Sequence, residues 1–156
     1  MKKEHYWIIG VVVGLIVMIG LLLTFILLNN KGTITLKCVK TEKDTLVDGI
    51  STFTIRFKND KIKLIESKNE TIVKSEAAKS NIDSLYNAIQ TQFGDYKNEK
   101  GVIIKTAKLS DRITFTITVD ATENPDRVEI VGSSLKNNMS YEEVKKELEN
   151  RKFTCE

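Results

Sequence analysis

Histidine is almost missing from this sequence: His5 is the only one in 156 residues, beside one proline and two cysteines. Because His5 precedes a long apolar run, the remainder of the chain has no imidazole. That excludes Ser-His-Asp and Cys-His nucleophilic sites, His-ligated metals and the easiest general base at neutral pH. No C-x-x-C spacing and no glycine-rich phosphate loop occurs, so a metal site would have to rest on two distant cysteines alone. The sequence therefore predicts no catalytic residue, no metal site and no cofactor, and so no enzyme. An excess of one charge is lacking too. Of 24 basic and 21 acidic residues only Lys2, Lys3 and Glu4 precede residue 31, and the rest are interspersed. This is a solvated mixed-charge surface and not the basic footprint of a nucleic-acid binder.

What is present begins with WIIGVVVGLIVMIGLLLTFILL from Trp7 to Leu28, 22 residues without an ionisable group. At about 1.5 Å per residue it spans roughly 33 Å, the thickness of a bilayer core. Tyr6 and Trp7 stand where an interfacial aromatic belt belongs, and Lys2 and Lys3 reach head groups. A cleaved secretory signal has a shorter apolar region ending in small residues, whereas this boundary reads FILLNNKG. The expectation is a retained signal anchor: residues 1–6 a cytoplasmic stub, 7–28 a transmembrane helix, 29–32 a linker and 33–156 an extracytoplasmic domain. The lysines flanking both ends do not decide orientation, so cysteine usage must. Gly10 and Gly14 form a G-x-x-x-G pair, which makes a weak homodimer through the membrane helix one reading and the ordinary abundance of membrane glycine the other.

The domain reads as α+β: an antiparallel β-sheet with two helices packed on one face. Thr33 to Val39 and Thr52 to Lys58 alternate as half-buried strands. Asn59-Asp60 suits a two-residue hairpin into a strand over 61–73. Ala78, Ile82, Leu85, Tyr86, Ile89 and Phe93 recur at helical spacing between Ser75 and Phe93, with Gly94 as the stop. Gly101 to Lys108 and Ile113 to Asp120 form a second strand pair, and Val128 to Val131 suggests a short strand. Ser140 with Glu143 is a capping box flanked by a Met139 and Val144 staple, opening a helix with Tyr141, Val144 and Leu148 inward. Arg151 to Cys155 closes as a strand.

Cys38 lies in the first strand and Cys155 next to the last residue, so they bracket the domain. An even pair so placed behind a signal-like segment predicts a disulfide, with both thiols on core-facing positions. Its loop of about 117 residues corresponds to roughly 4 to 5 kcal/mol in the chain-entropy treatment. Two buried free thiols in a cytosolic domain are the other reading. Asp120, Glu123 and Asp126 recur every third residue in DATENPD, offering oxygen to a hard cation or simply forming a solvated turn; calcium-loop spacing is absent. Asn69 and Asn138 match N-x-S/T, in a Lys-, Asn- and Ile-rich sequence of low-GC bacterial character.

The first strand TLKC, the FKNDKI hairpin, the amphipathic helix, two further strands and the ending SYEEVKKELENRKFTCE together resemble the YehR-type lipoproteins from about Thr33 onward. The resemblance implies a small bacterial cell-surface domain without an established activity. It departs where members carry a lipobox cysteine, since a spanning helix occupies that place here. The function expected is that of a membrane-tethered extracytoplasmic domain that binds a cell-envelope partner or acts structurally. Its one assigned partner is the lipid bilayer, reached through the N-terminal helix. A small-ligand or cation-binding surface protein is the alternative.

Overall fold

Alternating side chains pair the strands of this domain into one sheet, seen in a computed structural model that describes residues 32–156 apart from residue 133. The expected cytoplasmic stub and membrane helix, Gly10 and Gly14 included, lie outside the described residues. Thr33–Glu156 is one compact unit. β1 (Ile34–Lys43), β2 (Val47–Lys58) and β3 (Lys61–Val73) form an antiparallel meander. Asn59 and Asp60 both adopt positive φ, 54° and 58°, as a two-residue turn matched to strand twist requires. The ladder runs further than alternation suggested, to Lys43 and back from Val47, because backbone pairing continues where side chains turn polar.

The chain then crosses through short α1 (Glu76–Lys79), α2 (Ile82–Gln92) and a 3-10 turn at Asp95–Asn98 to β4 (Val102–Lys108). β5 (Arg112–Asp120) pairs β4 on one side and β3 on the other. A second 3-10 turn (Pro125–Arg127) leads into α3 (Val128–Val131), followed by α4 (Tyr141–Asn150) and the two-residue β6 (Thr154–Cys155). The sheet is six-stranded, ordered β4-β5-β3-β2-β1-β6, with every pair antiparallel.

Three helices, α2, α3 and α4, pack on one face where two were expected, because the segment expected as a strand at Val128 to Val131 folds as α3. Leu36, Ile55, Ile65 and Val119, register partners across four strands, are all fully buried against Val128, Leu135, Val144 and Leu148. β5 is the most regular strand, with Ile113, Phe115, Ile117 and Val119 inward and Thr114, Thr116 and Thr118 outward.

Three expectations need correction. Val128 to Val131 is a helical turn and not a strand: Pro125 opens a helical approach, and Val128 and Val131, three apart, take the core positions. In V-E-I-V both periods read alike over four residues. The helix from Ser75 breaks at Ser80-Asn81, and its inward stripe is Ile82, Tyr86, Ile89 and Phe93, leaving Leu85 41% exposed. Gly94 is right-handed (φ −57°) and continues into the 3-10 turn, so it supplies no left-handed stop. The closing strand is also shorter than Arg151 to Cys155: α4 overruns to a turn in which Lys152 takes φ 69° and Phe153 N–H bonds Leu148 C=O at 3.1 Å.

Candidate functional site

The two cysteines meet where β6 lies along β1. Lys37 and Glu156 exchange backbone hydrogen bonds of 3.0 and 2.8 Å, which sets Cys38 opposite Cys155 with Cα atoms 4.0 Å apart. Their Sγ atoms are bonded at 2.01 Å. Cys38 is fully buried, and Phe153 meets Phe53 edge-on at 5.2 Å just beside the pair. Alternation put Cys38 on the face of Leu36. It could not show that two residues of strand suffice for the last element.

The acidic stretch is dispersed into separate local contacts. Asp120 Oδ1 accepts from Thr122 N–H (2.8 Å) and Thr122 Oγ1 (2.6 Å), while Glu123 pairs with Lys100 at 3.3 Å. Those Thr122 bonds hold the Asp120 carboxyl below its ordinary pKa. Among the described residues no three His, Cys, Asp or Glu side chains stand close enough to hold a metal ion. Asp126 instead lines a groove of about 460 Å³ with Pro125, Glu129, Lys136, Asn137 and Asn138 over Val128 and Leu135. No sequence motif marks that groove, which forms between the helical turn at Val128–Val131 and the Asn-rich segment before α4.

A smaller apolar cleft of about 240 Å³ lies between Val47, Thr71 and Val73 of the sheet and Asn81, Ile82 and Leu85. Asn69 is engaged on the helix-covered face: its Oδ1 accepts from Ser51 Oγ at 2.8 Å and its Nδ2 donates to Ser67 Oγ at 3.1 Å. Arg127 grips Glu99 with two hydrogen bonds of 2.7 and 2.9 Å and lies 5.4 Å from the Tyr96 ring. This fork, which raises the Arg127 pKa, ties the 3-10 turn before β4 to the one after β5. The carboxylates that shift clearly, Asp44, Asp120 and Glu143, all move down through hydrogen bonds they accept. Among the described residues no helix is long and apolar enough to cross a membrane.

The fold defines a class of small α+β domains, a six-stranded antiparallel sheet with helices on one face. Two solved structures share it. A Streptococcus pneumoniae TIGR4 protein solved by NMR aligns with TM-score 0.51 and 16% identity over 81% of this chain and 86% of its own. The YehR protein of Escherichia coli, also solved by NMR, aligns with TM-score 0.56 and 13% identity over 80% of this chain and 92% of its own. No family model and no curated protein matches the sequence. The likeness is one of fold.

Proposed function

We propose that this chain is a membrane-anchored, extracytoplasmic binding or structural module of the bacterial cell envelope, without enzymatic activity and akin to the YehR-type lipoproteins but held by a spanning helix. The observation that carries the reading is the bonded Cys38–Cys155 pair at the two ends of the domain. Such a pair persists in an oxidising compartment and not in a reducing cytosol. The apolar run from Trp7 to Leu28 supplies the anchor, and Gly10 with Gly14 supplies a weak pairing face.

Protease added to intact cells should remove the domain while leaving a membrane-bound stub. Protection until lysis overturns the orientation, and a mature chain beginning near Lys31 overturns the anchor. The second reading, a small-ligand protein, is favoured by the groove over Val128 and Leu135, whose volume falls in the range of ligand pockets. A concentration-dependent rise in melting temperature with a polar ligand, abolished by Glu129→Lys, would establish it.

A further inference from the structure

The tip of the β2–β3 hairpin is built at odds with its own stability. Arg56, Lys58 and Lys61 are exposed, and no ion pair reaches any of them among the described residues. Lys58 and Lys61 are register partners directly opposite each other. Like charges so placed are destabilising. The one carboxylate of the turn, Asp60, is engaged elsewhere, accepting from Tyr141 N–H at 2.9 Å at the start of α4. Phe57 points to the helix-covered face, where it meets Tyr141 at 5.5 Å, so Arg56 and Lys58 stand on the open face and Glu142 and Glu143 of α4 on the other. At the opposite end of the sheet the pattern differs: Lys74 pairs with Asp48, Lys79 with Glu76, Lys108 with Asp83 and Arg112 with Glu70.

The register says what lies near this tip. Ile34, the first residue of β1 and 56% exposed, pairs with Phe57, between Arg56 and Lys58. Leu28, the end of the apolar run, precedes Ile34 by six residues. That stretch reaches at most about 20 Å. We infer that Arg56, Lys58 and Lys61 form a docking surface for anionic lipid head groups, seating the domain on the membrane that anchors it; this rests on the anchor proposed above. Lipid phosphate and phosphatidylglycerol supply the counter-charge the hairpin lacks.

The test uses the full chain in nanodiscs of phosphatidylcholine alone or with one part in three phosphatidylglycerol, read by acetylation of lysines and mass analysis. Lys61 and Lys58 should react about fivefold more slowly on anionic discs. Exposed Lys43 and Lys105, away from the tip, should react equally on both, and high salt should abolish the difference. Lys58→Glu sets a carboxylate opposite Lys61 and should keep or raise the melting temperature while removing the protection of Lys61. Equal reactivity on the two discs, slowing of Lys43 to the same degree, full protection in Lys58→Glu, or protection by inorganic phosphate on neutral discs would each overturn the inference. Loss of the chain from discs on alkaline washing would overturn the anchor and this inference together, whereas a retained chain with an unprotected tip overturns this inference alone.

Discussion

α2 and α4 are almost equal in length, eleven and ten residues, and both lie on the same face of the sheet, yet they are held in different ways. α4 starts with a complete capping box and sinks Val144 and Leu148 into the core with no exposed surface. It then hands the chain through Phe153 to the bonded Cys155. α2 starts at Asn81 without a side-chain cap bond, has Ile82 as its one buried residue and leaves Leu85 41% exposed. One helix is fixed by local chemistry, core burial and a covalent bond acting at one place. The other rests on half-buried Tyr86, Ile89 and Phe93. Stability should therefore be concentrated in the β1–β2–β6 half, with opening of the α2 half the lower-energy event.

Reduction gives the largest effect and strikes the stronger side. Breaking Cys38–Cys155 frees a loop of 117 residues, worth roughly 4 to 5 kcal/mol in the chain-entropy treatment. The melting temperature should fall steeply, and Cys38→Ala with Cys155→Ala should reproduce the fall and remove sensitivity to reductant. Amide exchange should quicken first at Glu156 and Lys37, whose mutual bonds hold β6 in place. An unchanged melting curve under reductant would dissolve the contrast between the halves.

Core truncation comes next. Leu148→Ala removes a fully buried side chain and should cost about 2 to 5 kcal/mol. Leu85→Ala should cost only about 1 kcal/mol, because Leu85 is already 41% exposed and leaves no closed cavity behind. Denaturant melts of the two variants measure the difference, and similar losses would mean that α2 is anchored as firmly as α4. The caps repeat the comparison on a smaller scale. Ser140→Ala should cost about 1 kcal/mol, since its Oγ accepts from Glu143 N–H at 3.3 Å, while Asn81→Ala should be neutral.

The same contrast explains what could be read from residues alone. Ser140, Glu143 and the Val144 and Leu148 stripe announce α4 because capping and burial point to one boundary. Ile113 to Val119 announces β5 because strict alternation matches a face buried on one side. α2 was legible as a helix but not in its limits, since Gly94 looks like a stop and behaves as ordinary right-handed backbone, and Leu85 fits the spacing without reaching the core. Val128 to Val131 was illegible because a four-residue apolar run fits either period, and only Leu36-to-Val119 packing above it selects the turn. Cys38 and Cys155 were legible by position. The groove beside Asp126 was not, being made by residues that share no motif.

The smallest effect lies within the cap of α4 and depends on pH. The Glu143 carboxylate accepts from Ser140 N–H at 2.8 Å and from Ser140 Oγ at 2.9 Å. These bonds, the backbone one foremost, hold its pKa below the ordinary 4.5 against desolvation and the like charge of Asp60. Unfolding releases the carboxyl to that ordinary value, so between the two values the unfolded chain binds more protons and stability rises with pH. The contribution is complete above about pH 4.5 and disappears as pH falls through the lower folded value. Glu143→Gln retains an oxygen able to close the capping box but cannot titrate. The melting-temperature gap between the native chain and Glu143→Gln should be widest at neutral pH and should narrow on acidification. A gap that stays constant down to pH 3 would mean that the charge of Glu143 adds nothing to the cap, leaving burial and the disulfide to set α4 apart from α2.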